Sequence, residues 1–154
     1  MKRKKKFFLA FLFFILLGML IPQQLKMPVQ GASAVDYNAE TFWYYPWGKS
    51  VTHKGVDVFA KTGTPIHSAT TGIVLYAGTI SMGGNFVLIL GPKWRLHYYA
   101  HLDEISTSTL SFVSQSRKIG TVGTSGNAAG KSPHLHYSIV TLVPYPWRID
   151  GSKQ

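Results

Sequence analysis

The sequence predicts an all-β domain, a mainly antiparallel sheet with long loops, preceded by an N-terminal hydrophobic helix. Three observations carry this. From Val51 onward the chain falls into short runs rich in β-branched and aromatic residues, punctuated by glycine. No window in that stretch shows a sustained helical repeat of apolar residues. At the start, a basic cluster runs directly into an uninterrupted apolar segment.

That first segment sets the expected compartment. Lys2, Arg3, Lys4, Lys5 and Lys6 precede Phe7 to Ile21, a run of fifteen apolar residues. This is the layout of the charged and hydrophobic regions of an export signal. The run is shorter than the ~20 residues a comfortable spanning helix needs. Ala32-Ser33-Ala34 offers a small-residue cleavage site, thirteen residues beyond Ile21. If it is not cut, the segment stays as an N-terminal anchor with its basic end inside. Either outcome puts the domain in the cell envelope, secreted or held at the cytoplasmic membrane through Phe7 to Ile21. The expected division is 1–34 signal or anchor, 35–50 linker and 51–154 folded domain. A chain of 154 residues has room for one core and no second.

The strands are expected at Gly55–Phe59, Gly72–Gly78, Asn85–Leu90, Arg95–His101 and Leu135–Val140. The linker holds a dense aromatic patch, Phe42 to Trp47, read as packing against the sheet or forming one wall of a cleft. Gly48-Lys49-Ser50 echoes the end of a phosphate loop, but lacks the upstream glycine and the following helix, and is set aside.

Composition narrows the function. The formal charge of +10 falls to about +4 from Val35 onward, where ten Lys/Arg face six Asp/Glu. Nucleic acid is therefore not the expected partner. Cysteine is absent, which excludes disulfides and thiolate metal sites. Any metal must be held by nitrogen and oxygen.

Such donors are present in surplus: His53 and Asp57, His101, and the pair His134 and His136. Imidazole and carboxylate suit zinc. Residues two apart on a strand share a face, ~6.6 Å apart, so His134 and His136 aim into one space. His53 and Asp57, four apart, would be ~13 Å apart on a straight strand, so a bend through Gly55 is expected between them. His97 lies four before His101 and Tyr99 two before it. On a regular strand both share its face, which would let them line a groove, although His97 is better read as a residue at the strand's far end, ~13 Å away, and Tyr99 equally well as a buried strand residue. His67 is expected at a loop or strand end.

Taken in order, these segments resemble the lysostaphin-type, LytM-like zinc endopeptidases of bacterial peptidoglycan. The resemblance runs through His53-x-Gly55-x-Asp57, Gly63-Thr64-Pro65, Gly72-Ile73-Val74 and Gly84-Asn85-Phe86-Val87. It continues through Tyr99-Ala100-His101-Leu102, Gly120 to Asn127, and Pro133-His134-Leu135-His136-Tyr137. It implies one Zn2+ held by His53, Asp57 and His136, with His101 and His134 as the catalytic pair beside it. It makes 51–154 a zinc metallopeptidase domain that cuts amide bonds in the stems or cross-bridges of peptidoglycan. His134 is the preferred general base and His101 the group that steadies the oxyanion or orients the water, roles the sequence leaves exchangeable. A monomer is expected. Neither built-in autoinhibition by a separate domain nor a wall-binding module after Pro144 to Arg148 is expected. The rival is a non-catalytic wall-binding or hydrolase-activating protein of the same fold.

Overall fold

The structure is a computed structural model, and the residues described are 2–47 and 51–142. Gly48 to Ser50 and the C-terminal Pro144 to Arg148 motif lie outside them. The expectation of a mainly antiparallel sheet holds. Eight strands form it: β1 (Val56–Phe59), β2 (Pro65–His67), β3 (Gly72–Ile80), β4 (Gly84–Gly91), β5 (Arg95–Ile105), β6 (Phe112–Val113), β7 (Lys118–Val122) and β8 (His134–Thr141). Their order is β1-β8-β5-β4-β3-β6, with β7 also on β5 and β2 on β7. All pairs are antiparallel. The five predicted strands are all present; β2 and β6 were not predicted, being too brief for a period-2 pattern to register, nor was β7, Lys118-Ile119-Gly120-Thr121-Val122, whose run is broken by a central glycine.

The core sits where alternate residues of these strands meet. Val58, Ile66, Val74, Val87, Ile89, Tyr99, Leu102, Ile119, Val122 and Leu135 are all buried there. Each such aliphatic side chain stabilises the fold by about 1.5–3 kcal/mol.

The N-terminal run forms α1 (Lys2–Leu20). Among the described residues no helix is long and apolar enough to cross a membrane. After α1 the chain runs along the edge of β2. Lys26 N–H donates to the Ala69 carbonyl at 3.1 Å, Gln30 N–H to Pro65 at 3.0 Å and His67 N–H to Pro28 at 2.7 Å. Val29 bridges to Ile66 and is only 1% exposed. The 35–50 segment holds two single-turn 3-10 helices, Ala34–Asp36 and Ala39–Thr41.

Candidate active site

The β1–β8 register sets Asp57 directly across from His136 and Phe59 across from His134. The β5–β8 register adds Ala100 opposite His136. His53 arrives from the loop before β1, held by a bridge to Tyr44. The chain bends at Gly55 as expected, but the need for glycine there is one of clearance. A Cβ at Gly55 would lie 2.7 Å from His136 Nε2 and 2.7 Å from the Tyr137 carbonyl oxygen. Only a residue without a side chain lets β1 come this close to the His136 ring.

These elements bring His53, Asp57 and His136 to one point. His53 Nε2 is 3.0 Å from Asp57 Oδ1 and 3.1 Å from His136 Nδ1, and His136 Nδ1 is 2.9 Å from the same oxygen. Three ligand atoms at ~2.0 Å from a tetrahedral zinc would be about 3.3 Å from one another. The triangle is nearly that size. Its protons also argue for a cation. His53 Nδ1–H donates to the Thr41 carbonyl at 2.9 Å, which leaves the Nε2 lone pair facing the carboxylate oxygen. Two acceptors held that close repel unless a cation, a proton or a metal ion, is shared between them, and two imidazoles and a carboxylate are a donor set that fits zinc. The Thr41 contact is the kind of outer hydrogen bond that fixes a ligand's tautomer. Trp47 stacks on the His53 ring at 4.3 Å.

The charges respond accordingly. Burial would raise the Asp57 pKa, but hydrogen bonds from His136 and His53 and the nearby His134 hold the carboxyl well below the usual carboxylate range. Burial would lower that of His53, yet the hydrogen bond and charge of Asp57 and the Thr41 carbonyl outweigh it and leave it raised.

His134 and His101 stand beside the triangle. His134 Nε2 is 3.9 Å from Asp57 Oδ1, and the two rings lie 5.1 Å apart at their centroids. His134 Nδ1–H donates to Ser132 at 2.8 Å and His101 Nδ1–H to Ser125 at 2.9 Å. Both rings therefore turn a bare Nε2 away from the backbone. Burial, then the neighbouring His134, lowers the His101 pKa to about 4, so it is neutral at pH 7. All five predicted residues line a single groove.

His101 reaches that groove through a bulge. Val87 pairs with Tyr99 and Asn85 with Leu102, so two steps on β4 answer three on β5. His101 takes φ +66°, and its N–H donates to the Gly83 carbonyl at 2.9 Å. The extra residue puts both Ala100 and His101 on the groove. It also corrects two expectations that assumed a regular strand. His97 and Tyr99 do not share the face of His101; both are wholly buried on the other side. Tyr99 Oη accepts from Ala69 N–H at 3.0 Å. His97 bonds Tyr137 Oη at 2.7 Å and the Gln23 amide nitrogen at 3.0 Å. His67 sits at the end of β2, as expected.

The glycine motifs hold the bulge. Gly84 (φ +63°) and Gly126 (φ +67°) meet back to back, a Cβ on either falling within 2.3 Å of the other loop. Ser125 Oγ then donates to Leu102 at 2.7 Å, while Asn85 Nδ2 donates to the Leu102 and Asp103 carbonyls at 3.2 and 3.0 Å. Of the aromatic patch, Pro46 and Trp47 line the groove, so it supplies both packing and a wall. Sequence reasoning missed Tyr98, Asn127 and Lys131 as groove residues. The only signal for Tyr98 was the bulge itself, which no pattern in β5 announces.

Two imidazoles and a carboxylate converge in an open groove, with two further imidazoles at hand, a group of residues that could hold a metal ion. The chain matches Peptidase family M23 over residues 51–145, well over half its length, and belongs to that family. The catalytic domain of lysostaphin from Staphylococcus simulans superposes with a TM-score of 0.60 at 28% identity, covering 66% of this chain and 77% of that one. A zinc-containing peptidase from Vibrio cholerae gives 0.63 at 25%, covering 77% and 37%. In sequence, a glycyl-glycine endopeptidase of Staphylococcus capitis is 31% identical over 100 residues, 63% of this chain and 27% of that protein. A DD-carboxypeptidase/endopeptidase of Neisseria meningitidis is 35% identical over 85 residues, 55% and 19%. The chain thus spans a third or less of the length of these curated relatives.

Proposed function

We propose that this chain is an exported zinc metalloendopeptidase that hydrolyses amide bonds in the peptide stems or cross-bridges of bacterial peptidoglycan. In this reading 51–154 is the catalytic domain, and the N-terminal segment directs it to the cell envelope. The observation that carries the reading is the triangle of His53 Nε2, Asp57 Oδ1 and His136 Nδ1, three metal-ligand atoms about 3 Å apart that converge on one point. Family membership and the endopeptidases among the relatives support it.

His53, Asp57 and His136 would hold the zinc ion, leaving its fourth position open. When bound, the ion would supply Lewis-acid chemistry, acidifying a water and polarising the scissile carbonyl. His134 accepts the water's proton at Nε2, since its Nδ1 is committed to Ser132, and passes it to the leaving amine. His101 is neutral with its Nδ1–H committed to Ser125, so its free Nε2 can accept but not donate. It orients the attacking water. Trp47 and Thr41 keep the His53 ring in place.

The test is release of soluble muropeptides from purified cell walls, followed by mass spectrometry. Activity should vanish on chelation, return with zinc and be absent from His136→Ala. Activity that survives chelation or that substitution refutes the zinc mechanism. Stoichiometric zinc with wall binding but no cleavage would replace it with the non-catalytic reading.

A further inference from the structure

The segment between α1 and the domain is built into the domain. Val29 is a core residue, bridged to Ile66. Lys26, Pro28 and Gln30 complete the hydrogen bonding of the β2 edge, and Gln115 Nε2 donates to the Gln24 carbonyl at 2.9 Å. Gln23 closes a half-buried polar chain: Arg95 donates to its carbonyl oxygen, and its amide nitrogen donates to the buried His97. Cutting after Ala34 would remove all of this. A core position would be emptied, the β2 edge would lose its partners, and His97 would lose its donor. The small-residue site is itself folded in: Ala32 packs on the core and Ser33 opens a 3-10 turn through bonds to Asp36.

The helix ahead of this strap is also seated on the domain. Trp94 Nε1–H donates to the Ile15 carbonyl at 2.9 Å, and Phe14 lies 4.6 Å from the indole, ring to ring. Gly18 leaves the space the indole fills, since a Cβ there would come within 2.2 Å of it. Elsewhere the apolar side chains of α1 are bare, with Phe7, Phe8, Leu9, Phe11 and Phe13 each more than 60% exposed. Such a surface is unstable in water. Lys4, Lys5 and Lys6 at its start complement anionic headgroups, and Trp94 between Lys93 and Arg95 has the chemistry of an interfacial belt.

We propose that the leader is retained: the working protein keeps residues 1–34, with α1 embedded in one face of a lipid bilayer, which it is not long and apolar enough to cross, and the strap Gln23–Gly31 holding the domain against it. The proposal rests on the envelope location above but not on catalysis. Its test uses the full chain produced in a bacterium that exports it, with intact-mass analysis of membrane and soluble fractions. The expected species has the unprocessed mass, apart from the initiator methionine, and stays with membranes through a high-salt wash. A product that starts at Val35, or anywhere from Gln23 to Val35, overturns the proposal, as does an unprocessed chain in the soluble fraction. In parallel, a Gln23–Gln154 chain should melt cooperatively and a Val35–Gln154 chain about 10 °C or more lower. Val29→Asp in the full chain should lower Tm in the same direction. Equal melting of the two truncations overturns the structural role of the strap. None of these readouts depends on wall cleavage, so a catalytically silent protein would leave them intact.

Discussion

Lowering the pH from 7.5 to 4.5 should destabilise the metal-free protein by an amount that His97 sets in large part. Its Nε2 accepts from the Gln23 amide, whose oxygen is turned to Arg95, a residue that only donates. The amide cannot reverse, so a second proton on His97 would face a donor and lie near a fixed positive charge. Burial, then Arg95, brings its pKa to about 4 from an ordinary value of 6.5. Between those values the unfolded chain binds a proton that the native state refuses. The contribution is therefore whole above about pH 6.5, falls as pH drops toward 4, and is flat below. At ~1.4 kcal/mol per pH unit this is about 2.5 kcal/mol by pH 4.5. The assay is urea unfolding with chelator present, for wild type and His97→Gln, at pH 7.5, 5.5 and 4.5. His101 titrates in the same window, so the quantity read is the difference between the two proteins. The wild-type urea midpoint should lose about 1–2 M more than the variant's over that range. Parallel pH slopes would refute the argument that His97 is held neutral.

Asp57→Asn should abolish stoichiometric zinc, read by elemental analysis of the dialysed protein, and abolish wall cleavage with it. His134→Ala should retain zinc and lower kcat by about 10²–10⁴-fold, the usual weight of a general base; loss of the metal instead would make His134 a ligand. Gly55→Ala should weaken zinc binding and cost about 1–3 kcal/mol of stability, because the new methyl group would meet the His136 ring and the Tyr137 carbonyl. His101→Gly and His101→Ala both lose the ring and its bond to Ser125, but only glycine is free of the left-handed backbone strain, so the glycine variant should be the more stable of the two by about 1 kcal/mol in the metal-free protein; a less stable glycine variant would show that the bulge is held without strain.

The parts of this protein that were legible in the sequence are those that follow a local rule. The long strands β3, β4, β5 and β8 declare themselves by β-branched runs between glycines, and His134-x-His136 follows from the period-2 alternation of a strand. The convergence of His53 with Asp57 was legible as a required bend at Gly55. What was hidden depends on long-range register. A single extra residue in β5 reverses the faces of His97 and Tyr99 relative to His101, and the cause lies in Gly84, Asn85 and Ser125 on other segments. The burial of Val29 was equally out of reach, because nothing in Pro28-Val29-Gln30 tells a linker from an edge strand until Ile66 is beside it.

The passage from helix to strap is also very short. Only Ile21 and Pro22 separate the end of α1 at Leu20 from the first strap contact at Gln23. A domain on a long flexible tether sweeps out a volume whose radius grows with the tether. Here no slack exists, so the separation of helix and groove is fixed by the fold and not by a tether. The fold thus acts as a ruler. Wherever α1 is fixed, the His53–Asp57–His136 triangle works in a thin layer at a constant height above that point, and substrate outside that layer must come to it.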